Sequence, residues 1–345
     1  MITKRLLSII SAAAIAHAVT AAPDSTSAPY KKFLPEVHAT LRARYELATE
    51  SGDGRFQVRN ARVNLNGSLT DFLGYYLRAD FCDRGSFKML DAYAIFKPDA
   101  HWRVMMGQMR VPLSVDASRS VHNYWFANRS LPARDMWGSR KVGLKARYSF
   151  SPAGASAFVE GGIFSSASTS AQTSWSKNYT YAVIGAVEAG DWTPEIGFQS
   201  NELGSTRVNL WNMSLTWERD GLWEAEGEVL WKCYSNNAAR TVFAYNLMAR
   251  RFFPLNCRFA NRLSADLRFD SSTDNCDGAR NEHGDLIVTQ TARKRLTVGA
   301  TLAWLKGPVN THLRLNYEQY FHKAGHISSP SDGANRLCLE LMLHF

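Results

Sequence analysis

Residues 336–345 read Arg336-Leu337-Cys338-Leu339-Glu340-Leu341-Met342-Leu343-His344-Phe345. In an extended strand successive side chains point to opposite faces. Leu337, Leu339, Leu341, Leu343 and Phe345 therefore share one face, and Arg336, Cys338, Glu340, Met342 and His344 share the other. A half-buried edge strand of a soluble protein has no need for so long an unbroken leucine row. A strand with lipid on one side and water on the other does.

Working outward, the same period of two recurs in segments of about ten residues, the rhythm of membrane-barrel strands. Val37 to Ala48 sets Ala39, Leu41, Ala43, Tyr45 and Leu47 against His38, Thr40, Arg42, Arg44 and Glu46. Asn60 to Asn66 sets Ala61, Val63 and Leu65 against Arg62 and Asn64, and Leu73 to Phe81 sets Leu73, Tyr75, Leu77, Ala79 and Phe81 against Tyr76, Arg78 and Asp80. Similar segments follow at 89–97, 102–111, 141–150, 155–164, 179–189, 193–203, 208–219, 222–234, 242–252, 263–269, 295–305 and 309–321. With the last strand the count is about sixteen, an even number as bacterial barrels require. The expected fold is all-β, a transmembrane antiparallel barrel in which the strand at 336–345 pairs with Val37 to Ala48, since hydrocarbon tolerates no open sheet edge.

The connections carry a second signal. Gly67 to Asp71, Pro98-Asp99-Ala100, Ser151 to Gly154 and Lys306-Gly307-Pro308 are short and rich in turn-formers, as periplasmic turns would be. Ser165 to Asn178, Ser271 to Gln290 and Lys323 to Asn335 are long and polar, as extracellular loops would be. Tyr148, Trp192, Trp217, Trp304 and Phe345 stand near strand ends and are expected in aromatic girdles at the membrane interfaces.

Met1 to Ala22 has a basic start at Lys4 and Arg5, an apolar stretch from Leu6 to Val19 and a small-residue end at Thr20-Ala21-Ala22. This is the pattern of a cleaved secretory signal. Pro23 follows closely, and the apolar run is too short to span roughly 30 Å of hydrocarbon. The expected organisation is a signal at 1–22, a short lead at 23–36 and one barrel domain at 37–345 in the bacterial outer membrane. The mean hydropathy of −0.27 argues against membrane helices and leaves a barrel open, because alternating strands average to a polar composition.

The formal net charge is +9. In an exported chain nucleic acid is not the expected partner, which leaves small anionic solutes and lipid head groups. Cys82, Cys233, Cys257, Cys276 and Cys338 have no CxxC spacing and announce neither a disulfide framework nor a metal site. Cys82 and Cys338 are expected as small lumen-facing residues, and a Cys257–Cys276 pair is the one bridge weighed. Neither a GxSxG elbow, an HExxH pair nor a P-loop occurs, and the nine histidines are dispersed. The expected protein is not an enzyme and needs no cofactor.

Between the strands at 102–111 and 141–150 lies Pro112 to Arg140, where Tyr124, Trp125, Phe126, Leu131, Met136 and Trp137 interleave with Arg119, Arg129 and Arg134. So aromatic a loop is expected to pack inside the barrel as an inserted constriction. Here the residues carry a resemblance. Asp91-Ala92-Tyr93, Gly107-Gln108-Met109-Arg110-Val111-Pro112, Asn128-Arg129-Ser130 and Arg140-Lys141-Val142-Gly143-Leu144, with Arg59-Asn60-Ala61-Arg62-Val63 and Gly67 upstream, resemble the phosphate-selective porin O and P family from about Val37 to Phe150. The resemblance implies a sixteen-stranded barrel, commonly a trimer, with its third loop folded into the lumen and basic residues guiding anions. Arg110 stands where the family has lysine, Met109 and Leu113 where it has phenylalanine, and Asn128 where an acidic residue is common, which leaves phosphate preference open.

A pore works by electrostatics and width. Arg42, Arg44, Arg62 and Arg78 share the expected lumen face of three consecutive strands, and their guanidiniums offer a permanent charge and a planar fork to carboxylate or phosphate. Asp91, Gln108, Arg129, Lys141, Lys145 and Arg147 are expected to line the same pore, with Arg110 and Arg119 at the constriction. The competing role for the arginines is pairing with Glu46, Asp80 and Asp91 on neighbouring strands. Two other readings stand beside the porin: a structural or adhesive barrel plugged by its own loop, and a soluble exported all-β binding protein.

Overall fold

A computed structural model describes residues 34–136, 140–203, 205–305, 307–322 and 333–345. The expected signal at 1–22, all but the end of the lead, and Trp137 lie outside the described residues. The strands are β1 (Glu36–Ala48), β2 (Gly54–Ser68), β3 (Leu73–Asp83), β4 (Ser86–Phe96), β5 (Trp102–Arg110), β6 (Arg140–Phe150), β7 (Ser156–Ser165) and β8 (Tyr179–Glu188). The second half adds β9 (Trp192–Leu203), β10 (Thr206–Arg219), β11 (Trp223–Tyr234), β12 (Val242–Pro254), β13 (Arg262–Ser272), β14 (Arg293–Trp304), β15 (Asn310–His322) and β16 (Arg336–His344). Each pairs antiparallel with its sequence neighbours, and β16 closes on β1 through Leu41↔Leu343 to Leu47↔Leu337.

The two faces of the closing strands follow the alternation. Leu339 and Leu341 are exposed on the outside, while Thr40, Arg42, Arg44, Glu46, Cys338 and Glu340 are buried inside. Closure satisfies every strand's hydrogen-bonding edge without water, the condition for crossing hydrocarbon.

Where the sequence pattern breaks, the ladder breaks. The β1–β2 register passes from Arg42↔Asn60 to Ala43↔Val58, so Arg59 is an extra residue in a β-bulge. The bulge inverts the alternation, and β2 begins at Gly54, six residues before the expected Asn60. Phe56 and Val58 then face lipid, while Arg55 and Gln57 turn inward to bond Glu46 and Arg44. A second irregularity between β3 and β4 skips Leu90.

Tyr148, Trp192, Trp217, Trp304 and Phe345 all lie at the end of the barrel that carries the described termini, beside Trp102 and Trp223. Phe56, Phe81, Phe87 and Phe321 are exposed toward the opposite rim. The sorting of loops by length is one-sided. Among the described residues the links at the terminus end are short, but the opposite end mixes the long loops 166–178 and 273–292, and the long stretch that follows β5, with a two-residue link at 84–85. The weighed Cys257–Cys276 bridge does not form, and both thiols are free. Cys257 follows β12 at the terminus end and Cys276 follows β13 at the loop end, so the barrel height separates them.

Candidate functional site

The loop that follows β5, described over residues 111–136, leaves the strand where the chain is forced close to its neighbours. A Cβ on Gly107 (φ +138°) would lie 2.2 Å from the Ala92 carbonyl oxygen, and one on Gly143, its partner across β5–β6, 2.3 Å from that of Ile163. Only glycine fits either position. The loop then makes two helical turns, α1 (Val115–Ser118) and α2 (Leu131–Asp135), each started by a serine whose side chain accepts an N–H three residues on. Asp116 ties the turns together, accepting from the Ser130 N–H at 2.9 Å and Oγ at 2.7 Å and pairing with Arg119 at 3.0 Å. Burial alone would push the Asp116 carboxyl up, but Arg119 and Ser130 outweigh it and hold it below its ordinary value.

The foot of the loop docks on the far wall. Leu113, Ala117, Ala133 and Met136 pack against Val208 and Leu210 of β10, Leu230 of β11, and Val242 and Ala244 of β12. These strand residues face inward, so this part of the lumen wall is apolar where the loop covers it. Beside the apolar contact, the Val115 N–H donates to Glu228 at 3.0 Å, and Arg119 pairs with Glu226.

From Trp125 to Arg129 the loop crosses the lumen without secondary structure, and buried carbonyls in such a stretch need donors. Four strands supply them. Arg250 of β12 donates to the Trp125 carbonyl at 3.0 Å, Arg42 of β1 to Ala127 at 2.6 Å, Arg268 of β13 to Asn128 at 2.8 Å and Arg295 of β14 to Arg129 at 2.7 Å. Asp270 accepts the Leu131 N–H at 2.7 Å and Asn316 the Ala127 N–H, also at 2.7 Å. Sequence reasoning missed Arg250, Arg268 and Arg295. The signal was available, since each sits on the inward parity of its strand, but nothing local links it to a loop more than a hundred residues away.

The crossing divides the lumen into two chambers, and Tyr124 is the residue that lines both. The outer chamber, about 790 Å³, faces the loop end and is lined by Arg42, Arg44, Arg55, Arg59, Arg62, Arg84, Lys88, Arg129, Arg134, Arg140 and Arg336, with Asp83 as the carboxylate among its lining residues. The inner chamber, about 310 Å³, mixes Arg119, Arg250 and Arg262 with Glu218, Glu224, His122, His312 and the rings of Tyr124, Trp125 and Phe252.

Behind the outer chamber, carboxylates hold the guanidiniums in place, and most serve more than one. Glu340 binds Arg42 at 2.6 Å and Arg314 at 2.8 Å, Glu46 binds Arg44 and Arg55, and Asp91 binds Arg140 and Arg78. Asp83 serves Arg59, Arg84 and Lys88, and Glu318 serves Arg268, Arg295 and Arg336. Arg62 has Asp80 at 2.8 Å. Among the described lining cations Arg129 bonds no carboxylate; its Nε donates to the Tyr124 hydroxyl. Burial pushes the Tyr124 phenol up, but Arg129, Arg62, Arg110 and Arg42 together bring it below its ordinary value.

Of the residues singled out in the sequence, Arg42, Arg44, Arg62, Gln108 and Arg129 come together at the outer chamber and Arg119 lines the inner one. The Gln108 amide reaches the Met89 and Leu90 carbonyls at the β4 irregularity, both at 2.9 Å. Arg110 lines neither chamber. It donates to the carbonyls of Ala117 at 3.2 Å, Ser118 and Arg119 at 3.1 Å, capping the end of α1. Arg78 and Asp91 pair behind the chamber wall, Lys141 bonds the Ser166 carbonyl, Lys145 pairs with Glu160 at 3.0 Å, and Arg147 lies 3.5 Å from the Phe158 ring centroid.

Residues 37–206, from β1 to the start of β10, match the family model of the phosphate-selective porin O and P proteins. Over that stretch the chain belongs to this family. It is an outer-membrane porin, and the apolar belt, the closed sheet and the loop threaded through the lumen are the parts such a porin requires. The barrel is similar to an anion-selective porin from Comamonas acidovorans (TM-score 0.61, 13% identity, 90% of this chain and 98% of that one). It is also similar to OmpF of Salmonella typhi in complex with daunomycin (0.60, 11%, 91% and 98%) and to in-vitro folded OmpT of Vibrio cholerae in its trimer form (0.59, 10%, 90% and 99%). At these identities the likeness speaks for the fold. No curated protein sequence matches the chain.

Proposed function

We propose that this porin passes small solutes with a preference for anions, phosphate among them, and that the preference arises in the outer chamber. The observation that carries this reading is the shared carboxylates. Because Glu340, Glu46, Asp91, Asp83 and Glu318 each serve two or three cations, pairing does not cancel the positive charge of the lining. Guanidiniums held by buried carboxylates stand with part of their N–H fork toward the solute, and a row of such weak sites lets an anion enter and still leave.

In this reading width is set at Tyr124, where the two chambers meet, and the arginines that grip residues 125–129 keep the loop from swinging into the passage. OmpT is described in a trimer form, and a homotrimer is proposed here too; chemical cross-linking of the folded protein in detergent should yield a band of three chains, and a lone monomer band would reject it. Single channels in a planar bilayer under a potassium chloride gradient test the main claim. Discrete steps with a zero-current potential of the sign set by chloride are expected. A cation-preferring channel, or a silent barrel that also fails to swell liposomes, would reject it.

A further inference from the structure

A second feature lies on the inner side of Tyr124, away from the arginine-rich chamber. Along one wall of the inner chamber guanidiniums and rings alternate. Arg119 lies 5.6 Å from the Trp125 ring centroid, Arg250 lies 4.7 Å from the same ring and 5.4 Å from that of Phe252, and Arg262 lies 4.2 Å from Phe252. Stacking occupies the flat face of a guanidinium and leaves its in-plane N–H groups to bond in another direction.

Two of the three forks are already engaged. Arg119 holds Asp116 and Glu226, while Arg250 holds Asp266 and the Trp125 carbonyl. Arg262, at the start of β13, has no carboxylate within ion-pair distance among the described residues and is half-buried at the chamber wall. Phe252 lies against its flat face, and Arg250, Glu224 and Asp266 are near enough to act on its charge without pairing with it. A flattened cation without an ion-pair partner among the described residues, beside ring edges, is the complement of a molecule that carries one carboxylate on one aromatic ring.

We propose that the inner chamber binds a small aromatic monocarboxylate, with its carboxylate on the Arg262 fork and its ring against the edges of Phe252, Trp125 and Tyr124. The proposal rests on the anion passage put forward above and names one solute class for it. The volume, about 310 Å³, stands at the low end of small-molecule sites, about 300 to 1,000 Å³, and suits a single ring. Glu218 and Glu224 also line the chamber; they oppose any anion there, so one carboxylate held on the Arg262 fork is favoured over a molecule that carries two. An aliphatic acid would satisfy the fork and leave the ring edges without a partner.

Sodium benzoate, sodium acetate and benzylammonium chloride, each added to single channels of the full protein in a bilayer, test this. Benzoate should interrupt the current with measurable dwell times, and acetate and benzylammonium at the same concentration should not. Arg262→Gln should shorten the benzoate dwell about tenfold or more, the effect of losing one charge-assisted hydrogen bond. Arg262→Lys, which keeps the charge and loses the fork, should shorten it less and guards against a variant that fails to fold.

Equal interruption by benzoate and acetate, or by benzoate and benzylammonium, would overturn the site, as would an unchanged dwell in both Arg262 variants. The zero-current potential of the same channels in potassium chloride reads the anion preference separately. An anion-selective channel blind to benzoate would sink the inner site alone, and a channel without anion preference would sink the broader reading whatever benzoate does.

Discussion

The wall built by β16 and β1 to β4 and the wall built by β9 to β11 face each other across the loop, and they treat their charges in opposite ways. On the first, Asp80, Asp91 and Glu340 are buried behind arginines that outnumber them. On the second, Glu195, Glu226 and Glu228 point inward with fewer cations to meet them: Arg119 reaches Glu226, and Glu228 takes the Val115 N–H and the Asn212 amide instead. One wall uses carboxylates to hold cations along the outer chamber; the other uses them to fasten the loop. Both contain ion pairs, so a list of salt bridges would not tell them apart. What differs is how many partners each carboxylate has and whether any of them belongs to the loop.

The largest effect should come from breaking the basic wall at a shared carboxylate that is fully buried. Glu340→Gln leaves Arg42 and Arg314, both buried, without counter-charge, and should cost ~3–5 kcal/mol, seen as a lower denaturant midpoint for unfolding from lipid followed by tryptophan fluorescence. An unchanged midpoint would mean that the pair adds nothing to stability. The matching change on the acidic wall, Glu228→Ala, strands two buried donors and should cost ~1–3 kcal/mol, with faster hydrogen exchange at Val115 than at loop residues gripped by the basic wall.

Two substitutions sharpen the comparison without unfolding either wall. Arg129→Gln should reduce the anion preference of single channels, whereas Arg110→Gln should leave preference nearly unchanged and loosen α1. The reverse order would show that the outer chamber is not where ions are sorted. Tyr124→Leu should raise conductance while keeping the sign of the preference; a lower conductance would place the narrow point elsewhere.

The smallest effect concerns pH. Burial, then His344 stacked on it at 3.9 Å, then Arg78, His38 and Arg314 push His122 down to about 4. An undocked imidazole protonates near its ordinary value of 6.5, so within that window undocking takes up a proton. Docking of this segment on β16 is therefore fully supported above about pH 6.5 and weakens as the pH falls toward 4. Current noise that grows over that interval in the native channel and not in His122→Phe would bear this out, and identical noise in both would not.

How far the chain could be read from its letters varies along its length. The leucine row at 337–343 and the arginines at 42 and 44 gave their faces directly, because a strand has only two sides. The segment from Gly54 to Arg59 was missed because a bulge inverts the period there, and a reader who follows the alternation starts the strand after it. Arg110 was expected at the constriction because it sits at the root of the loop, and one of its guanidinium nitrogens goes to three carbonyls at the end of α1. Val208, Leu210 and Leu230 hid their role, since an apolar inward residue looks like a flaw in a water-filled barrel until a loop is found lying on it.

By itself the sequence determined that this is a closed two-sided sheet, where its strands run and that its interior carries arginine, because burial against lipid imposes a period of two that short-range order records. The path of residues 125–129, the identity of the arginines that hold them and the division of the lumen at Tyr124 were decided only by the tertiary structure. Those bonds join positions as far apart as Arg42 and Glu340, and a loop without a repeating pattern shows its partners only once the barrel has brought them around it.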